Sequence, residues 1–119
     1  KEEEGVGISA GAHFAGLKSA MLMQNHGFLA SVNGIVSLAQ LYRIPLLMII
    51  SYRGEMGETD PWQTEGGLRT ESTLKALDIP YDIIDSPESV EKKINKAAIL
   101  SESSERPVAL LITRDLMVE

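Results

Sequence analysis

The chain has 119 residues, 44% of them hydrophobic and 24% charged, the balance of one soluble globular domain. Eleven basic against seventeen acidic side chains leave a formal charge of −6, so no broad positive field exists to grip a phosphate backbone. The absence of cysteine excludes disulfide scaffolds, thiolate metal sites and cysteine nucleophiles and points to a reducing, cytoplasmic setting, while the apolar run from Ile44 to Ile50 is too short to span a bilayer.

The spacing predicts a helix over residues 2–16. Glu2, Glu3 and Glu4 open it where the helix dipole favours negative charge, and Gly5, Gly7, Ala10, Gly11, Ala12 and Ala15 suit close packing against another backbone. Ser19 to Gln24 reads as a short buried strand and Asn25-His26-Gly27 as a turn. Within 29–42, Val32, Ile35, Val36 and Ala39 recur at helical spacing. Leu46 to Ile50 is continuously apolar, as in a parallel strand covered on both faces. Residues 51–67 are polar, with four glycines, Pro61 and Trp62, and read as a long surface loop before a helix near 68–77. Tyr81 to Ile84 is the next strand. Ser86-Pro87 reads as a helix start, with serine as N-cap and proline in the first helical position, and Val90, Ile94, Ala97 and Ala98 share one side. Val108 to Ile112 is a final buried strand. The alternation predicts an α/β fold, a three-layer parallel sheet with helices on both faces, as a single domain over 1–119. Ligands in such sheets sit at the carboxyl ends of the strands, which marks residues 25–27 and 51–54.

Gly7-Ile8-Ser9-Ala10-Gly11 has the spacing of a nucleophile elbow. No strand precedes it in these residues, no acid lies between Ser9 and His26, and no histidine follows His26, so helix packing is the reading. Gly5-x-Gly7 with Gly11 departs from the dinucleotide fingerprint in its last spacing. His13 and His26 have no partner at metal-ligand spacing; His26, in a turn after a strand, is the one with functional promise. Composition alone reads Glu2-Glu3-Glu4 as a solvated helix start, and Arg53 as either a surface ion pair or a charge facing a pocket.

Several segments together carry a resemblance. Lys1 to Ala12 resembles the stretch that bears the catalytic glutamate of thiamine-diphosphate-dependent decarboxylases, and Ala20 to Gly27 resembles the strand and turn that follow it. Ile44 to Leu47, Ile49 to Glu55, Thr70 to Pro80 and Val108 to Arg114 are closer to one branch, the sulfopyruvate and phosphonopyruvate decarboxylases. The resemblance implies the pyrimidine-binding domain of an enzyme built from two related α/β domains. The second domain holds the diphosphate through Mg2+, and its Gly-Asp-Gly motif is not in this sequence. The implied arrangement is therefore an α subunit whose β subunit brings the metal and the diphosphate half, with no metal ligand in this chain. The family also places strands ahead of its glutamate, so the expectation is of a domain short of its N-terminal strands.

By the same resemblance Glu3, two residues before Gly5, is the catalytic carboxylate that hydrogen-bonds the aminopyrimidine ring, with Glu4 as its neighbour. Gln24, Asn25 and Gly27 are implied to border the cofactor, and Asn25 and His26 to contact the substrate. Arg53 is placed to bind an anionic tail, because a guanidinium fork matches a sulfonate or phosphonate. The implied reaction takes sulfopyruvate to sulfoacetaldehyde and carbon dioxide on the way to coenzyme M. Phosphonopyruvate or another 2-oxo acid is the nearest alternative, and a non-catalytic α/β assembly module is the alternative of a different class.

Overall fold

The chain, described over residues 1–117 by a computed structural model, alternates helices and strands. The strands β1 (Ala20–Gln24), β2 (Leu46–Ser51), β3 (Tyr81–Ile84) and β4 (Pro107–Ile112) form one parallel sheet in the order β1-β2-β4-β3. Their registers bring the carboxyl ends level, with Gln24 beside Ser51 and Ser51 beside Ile112. The helices are α1 (Glu2–Phe14), α2 (Asn25–Ala30), α3 (Val32–Gly34), which runs on as π-helical turns over Ile35–Gln40, then α4 (Pro61–Ala76), α5 (Val90–Ser104) and α6 (Arg114–Met117).

Alternation along the central strands divides two cores. Met48, Ile50, Ala109 and Leu111 point to one face, where Val6 of α1, Phe28 of α2, Ile35 and Leu74 of α4 close over them. Leu47, Val108 and Leu110 point to the other face, under Ala97 of α5. The expected layers of helix on both faces are present, but α5 covers its face only over β4, β3 and part of β2. Among the described residues β1 pairs with β2 alone, and its Leu22 is 76% exposed on the uncovered side. An open groove of about 730 Å3, lined by His13, Leu17, Ala20, Leu47, Ala98 and Ser101, runs there at the amino-terminal ends of the strands, away from the end where ligands bind. No described helix is long and apolar enough to cross a membrane.

The local structure differs from expectation in five places. The strand expected to be buried over Ser19 to Gln24 buries Met21 and Met23 but leaves Ala20 and Leu22 exposed among the described residues. Asn25-His26-Gly27 is the first turn of α2, not a free turn. The single helix expected over 29–42 is interrupted at Ser31, whose backbone (φ −98°, ψ 2°) leaves helical geometry while its hydroxyl adds bonds to the carbonyls of Gly27 and Phe28. The loop expected over 51–67 ends at Asp60, because Asp60 and Pro61 take the N-cap and first position of α4. Pro87 opens only a 3₁₀ turn (Pro87–Ser89), and the Ser86 hydroxyl donates to the Ser89 hydroxyl instead of capping a helix.

Candidate active site

The site is built at the carboxyl ends of β1, β2 and β4. The turn after β1 passes directly into α2, so Asn25, His26 and Gly27 are held by both a strand and a helix. Asn25 is fully buried: its amide donates to the Arg53 carbonyl at 3.3 Å, and its Oδ1 has no protein partner. His26 is exposed, with its ring against Gly66 of α4; a Cβ on Gly66 would sit 2.5 Å from Nε2. Gln24 is half-buried and ends the strand.

Gly27 is buried beneath a carboxylate. A Cβ there would lie 2.5 Å from Glu2 Cγ and 3.1 Å from Glu2 Oε1, so glycine is what lets the Glu2 side chain cross the turn. Glu2 stands one turn before Val6 and two before Ser9 on the buried side of α1, which aims it there. Glu3, the residue singled out by the resemblance, is also exposed; the atom it brings near α3 is its carbonyl oxygen, beside Gly34. Neither carboxylate forms an ion pair or hydrogen bond among the described residues. Glu4 is exposed as well.

Arg53 lies two residues past the end of β2. Its Nε and Nη2 each donate to Glu58 at 2.8 Å, and Nη2 donates to Asp60 at 2.9 Å. Glu58 is the hub of this loop. Its side chain is only 3% exposed and accepts the backbone N–H groups of Gly54, Thr59 and Asp60, and Arg114 approaches it at 3.6 Å. The hydrogen bonds from Arg53 hold the Glu58 carboxyl well below the usual carboxylate range despite its burial. Gly54, at φ +84°, and Gly67 let this loop touch the backbone of α4. Behind it, Tyr52 donates to Glu71 of α4, which also accepts the Tyr81 hydroxyl at 2.8 Å. Burial, then the Glu71 contact, pushes the Tyr52 phenol up to about 12.

Glu2, Glu58, Gly66, Gly67 and Gln63 join the site without having been singled out for it. Gln63 is buried with an unpartnered Oε1. Only Glu2 had a readable signal, its helical phase with Val6 and Ser9. The nucleophile-elbow pattern, by contrast, lies wholly inside α1 with Ser9 buried. Among the described residues no three acidic or histidine side chains group as a metal site requires.

No family model matches the chain. It is 43% identical over 94% of its length to "Sulfopyruvate decarboxylase subunit alpha" of Methanococcus maripaludis, covering 67% of that protein. It is 42% identical over 94% of its length to the protein of the same name from Methanothermobacter thermautotrophicus, covering 68% of it. It is also 34% identical over 93% of its length to "Sulfopyruvate decarboxylase" of Methanosarcina acetivorans, of which it covers 29%.

Proposed function

Because the chain belongs to the sulfopyruvate decarboxylase α-subunit family, we propose that it forms the pyrimidine-side half of a thiamine-diphosphate site. With a β subunit it acts on sulfopyruvate, releasing carbon dioxide and sulfoacetaldehyde on the way to coenzyme M. The observation that carries this reading is the match along 94% of the chain to α subunits of that name. The Methanosarcina relative, of which the chain covers 29%, has length for a second domain of the kind assigned here to the partner.

The residues present fit the cofactor. A carboxylate with no protein partner lies over a glycine at the strand ends, open to a ring nitrogen approaching from outside. Thiamine diphosphate, when bound, supplies the thiazolium ring that accepts the electrons left behind by carbon dioxide. This chain's part is to hold a proton at the pyrimidine nitrogen through that carboxyl group, which acts more strongly once a partner closes the crevice to water. We assign this to Glu2 on geometry, with Glu3 as the alternative carried by the resemblance. His26 presents its imidazole to the incoming acid, and Asn25 fixes the turn that carries it. Gln24 and Gly27 form the floor. Mg2+ and the diphosphate belong to the partner.

A reconstituted assay tests the proposal. The complete α subunit is mixed with its β subunit, thiamine diphosphate and magnesium, and carbon dioxide release is followed from sulfopyruvate and phosphonopyruvate. Glu2→Gln is expected to lower kcat by roughly 100-fold or more, and Glu3→Gln by less than about tenfold. The reverse order moves the role to Glu3. Full activity in both variants, or no release from either acid by chains shown to associate, sinks the half-site reading.

A further inference from the structure

Arg53 and Arg114 follow neighbouring strands at the same level, since Ser51 at the end of β2 pairs with Ile112 at the end of β4. Both guanidinium groups flank Glu58, which is buried and fixed by three backbone N–H donors as well as by Arg53. That carboxylate cannot leave without stranding its donors. Asp60 is different. Its side chain is 37% exposed and it holds Arg53 through one bond to Nη2. Arg53 Nη1 has no partner among the described residues. The outer edge of the guanidinium, Nη1 with Nη2, is thus met only by a half-exposed carboxylate, on a side chain that is itself 24% exposed.

We propose that Arg53 and Arg114 form the subsite for a tetrahedral oxyanion, the sulfonate or phosphonate tail of the substrate. Glu58 is the fixed counter-ion that orients both cations. Asp60 is an internal stand-in that the tail displaces. The outer edge of a guanidinium takes two oxygens of such a group side by side, which one Asp60 oxygen does not do. The subsite is tied to the reacting end, because the Arg53 carbonyl accepts the Asn25 amide and lies against Gly67 of α4. This inference rests on the reading of the chain as half of a 2-oxo acid decarboxylase, and it adds Arg114, Glu58 and Asp60 to that site.

The bland alternative is that the Arg53–Asp60 pair merely fastens the loop. The two readings part on sign. Arg53→Lys and Asp60→Asn disturb the same ion pair, so a fastening role moves both in one direction. A displaceable occupant moves them in opposite directions. Asparagine caps helices as well as aspartate does, so the start of α4 survives the second change. In the reconstituted α–β enzyme, Arg53→Lys is expected to raise KM for sulfopyruvate roughly tenfold, and Arg114→Gln about threefold, with kcat changing less. Asp60→Asn is expected to lower KM by about threefold. Binding of 3-sulfopropionate, which carries the sulfonate and no ketone, is measured calorimetrically on the same complexes and needs no turnover. Shifts of one sign in Arg53→Lys and Asp60→Asn, no shift in either, or no binding of 3-sulfopropionate by the unaltered complex overturns the subsite. Opposite shifts in that binding, in a complex that decarboxylates neither acid, keep the subsite and refute the decarboxylase reading instead.

Discussion

Gly66 and Gly67 are adjacent in α4, both buried and helical, yet the same substitution meets different matter at each. In a helix interior alanine is favoured over glycine by about 1 kcal/mol. At Gly66 the new methyl runs into the His26 ring, 2.5 Å from Nε2. That ring is the end of an exposed side chain and can swing into solvent, at a rotamer cost of about 0.5–1.5 kcal/mol. Gain and cost nearly cancel, so Gly66→Ala folds within about 1 kcal/mol of the parent chain. At Gly67 the methyl meets the Arg53 carbonyl oxygen and, at 2.6 Å, the Gly54 Cα. Both are backbone, and forcing two main chains apart costs about 1–3 kcal/mol, only partly offset by helix propensity. Thermal unfolding separates the pair, since each kcal/mol moves Tm by roughly 4 °C in a domain of this size. At Gly66 activity and stability come apart. A His26 ring pushed aside by about 1 Å costs on the order of 100-fold in kcat, so Gly66→Ala is stable and nearly inactive in the reconstituted assay. A fully active Gly66→Ala, or one that loses as much Tm as Gly67→Ala, refutes the reasoning.

Leu74 is fully buried beneath α4, and Leu74→Ala is expected to cost about 2–5 kcal/mol, read from the urea midpoint of unfolding. The Tyr52 phenol, raised to about 12 in the fold against about 10 unfolded, keeps its proton more tightly when folded. Its contribution to stability is complete below the unfolded value and is lost as pH rises between the two, so urea midpoints fall across that window, and less steeply in Tyr52→Phe. Glu58 has the opposite sign. Its lowered folded pKa gives stability above the ordinary carboxylate range that drains away as pH falls through it, and Glu58→Gln shows a flatter acid limb in the same titration.

The strands were legible because burial on both faces leaves an unbroken apolar run. Leu46 to Ile50 and Val108 to Ile112 alternate between two cores, and no polar residue interrupts either. The helices near the site were harder to read. Asn25-His26-Gly27 has turn composition, and only Glu2 lying on Gly27 shows why a glycine stands in the first turn of α2. Gly66 and Gly67 made the start of α4 look like loop; their purpose, room for His26 and Arg53, exists only between elements distant in sequence. Three consecutive glutamates gave no local reason to choose among them, and α1 chooses by the phase of Val6, Ser9 and Ala10. Arg53 was visible as a charge at a strand end, but its partners Glu58 and Asp60 lay in a stretch that carries no period to read.

The turn that bears Asn25, His26 and Gly27 grows from the last residue of a strand that, among the described residues, pairs with β2 alone. That strand also holds the turn through Met21 and Met23, which pack into one core with Met48 and Ile50 of β2. A strand or partner seated along its open side would add hydrogen bonds to β1, raise the free energy of its local opening and slow the exchange of its amides with solvent. The proposed half-site is then assembled only in the fraction of molecules in which β1 is in place. Whatever grips that edge raises the fraction by mass action, and so sets catalytic competence without touching a reacting atom.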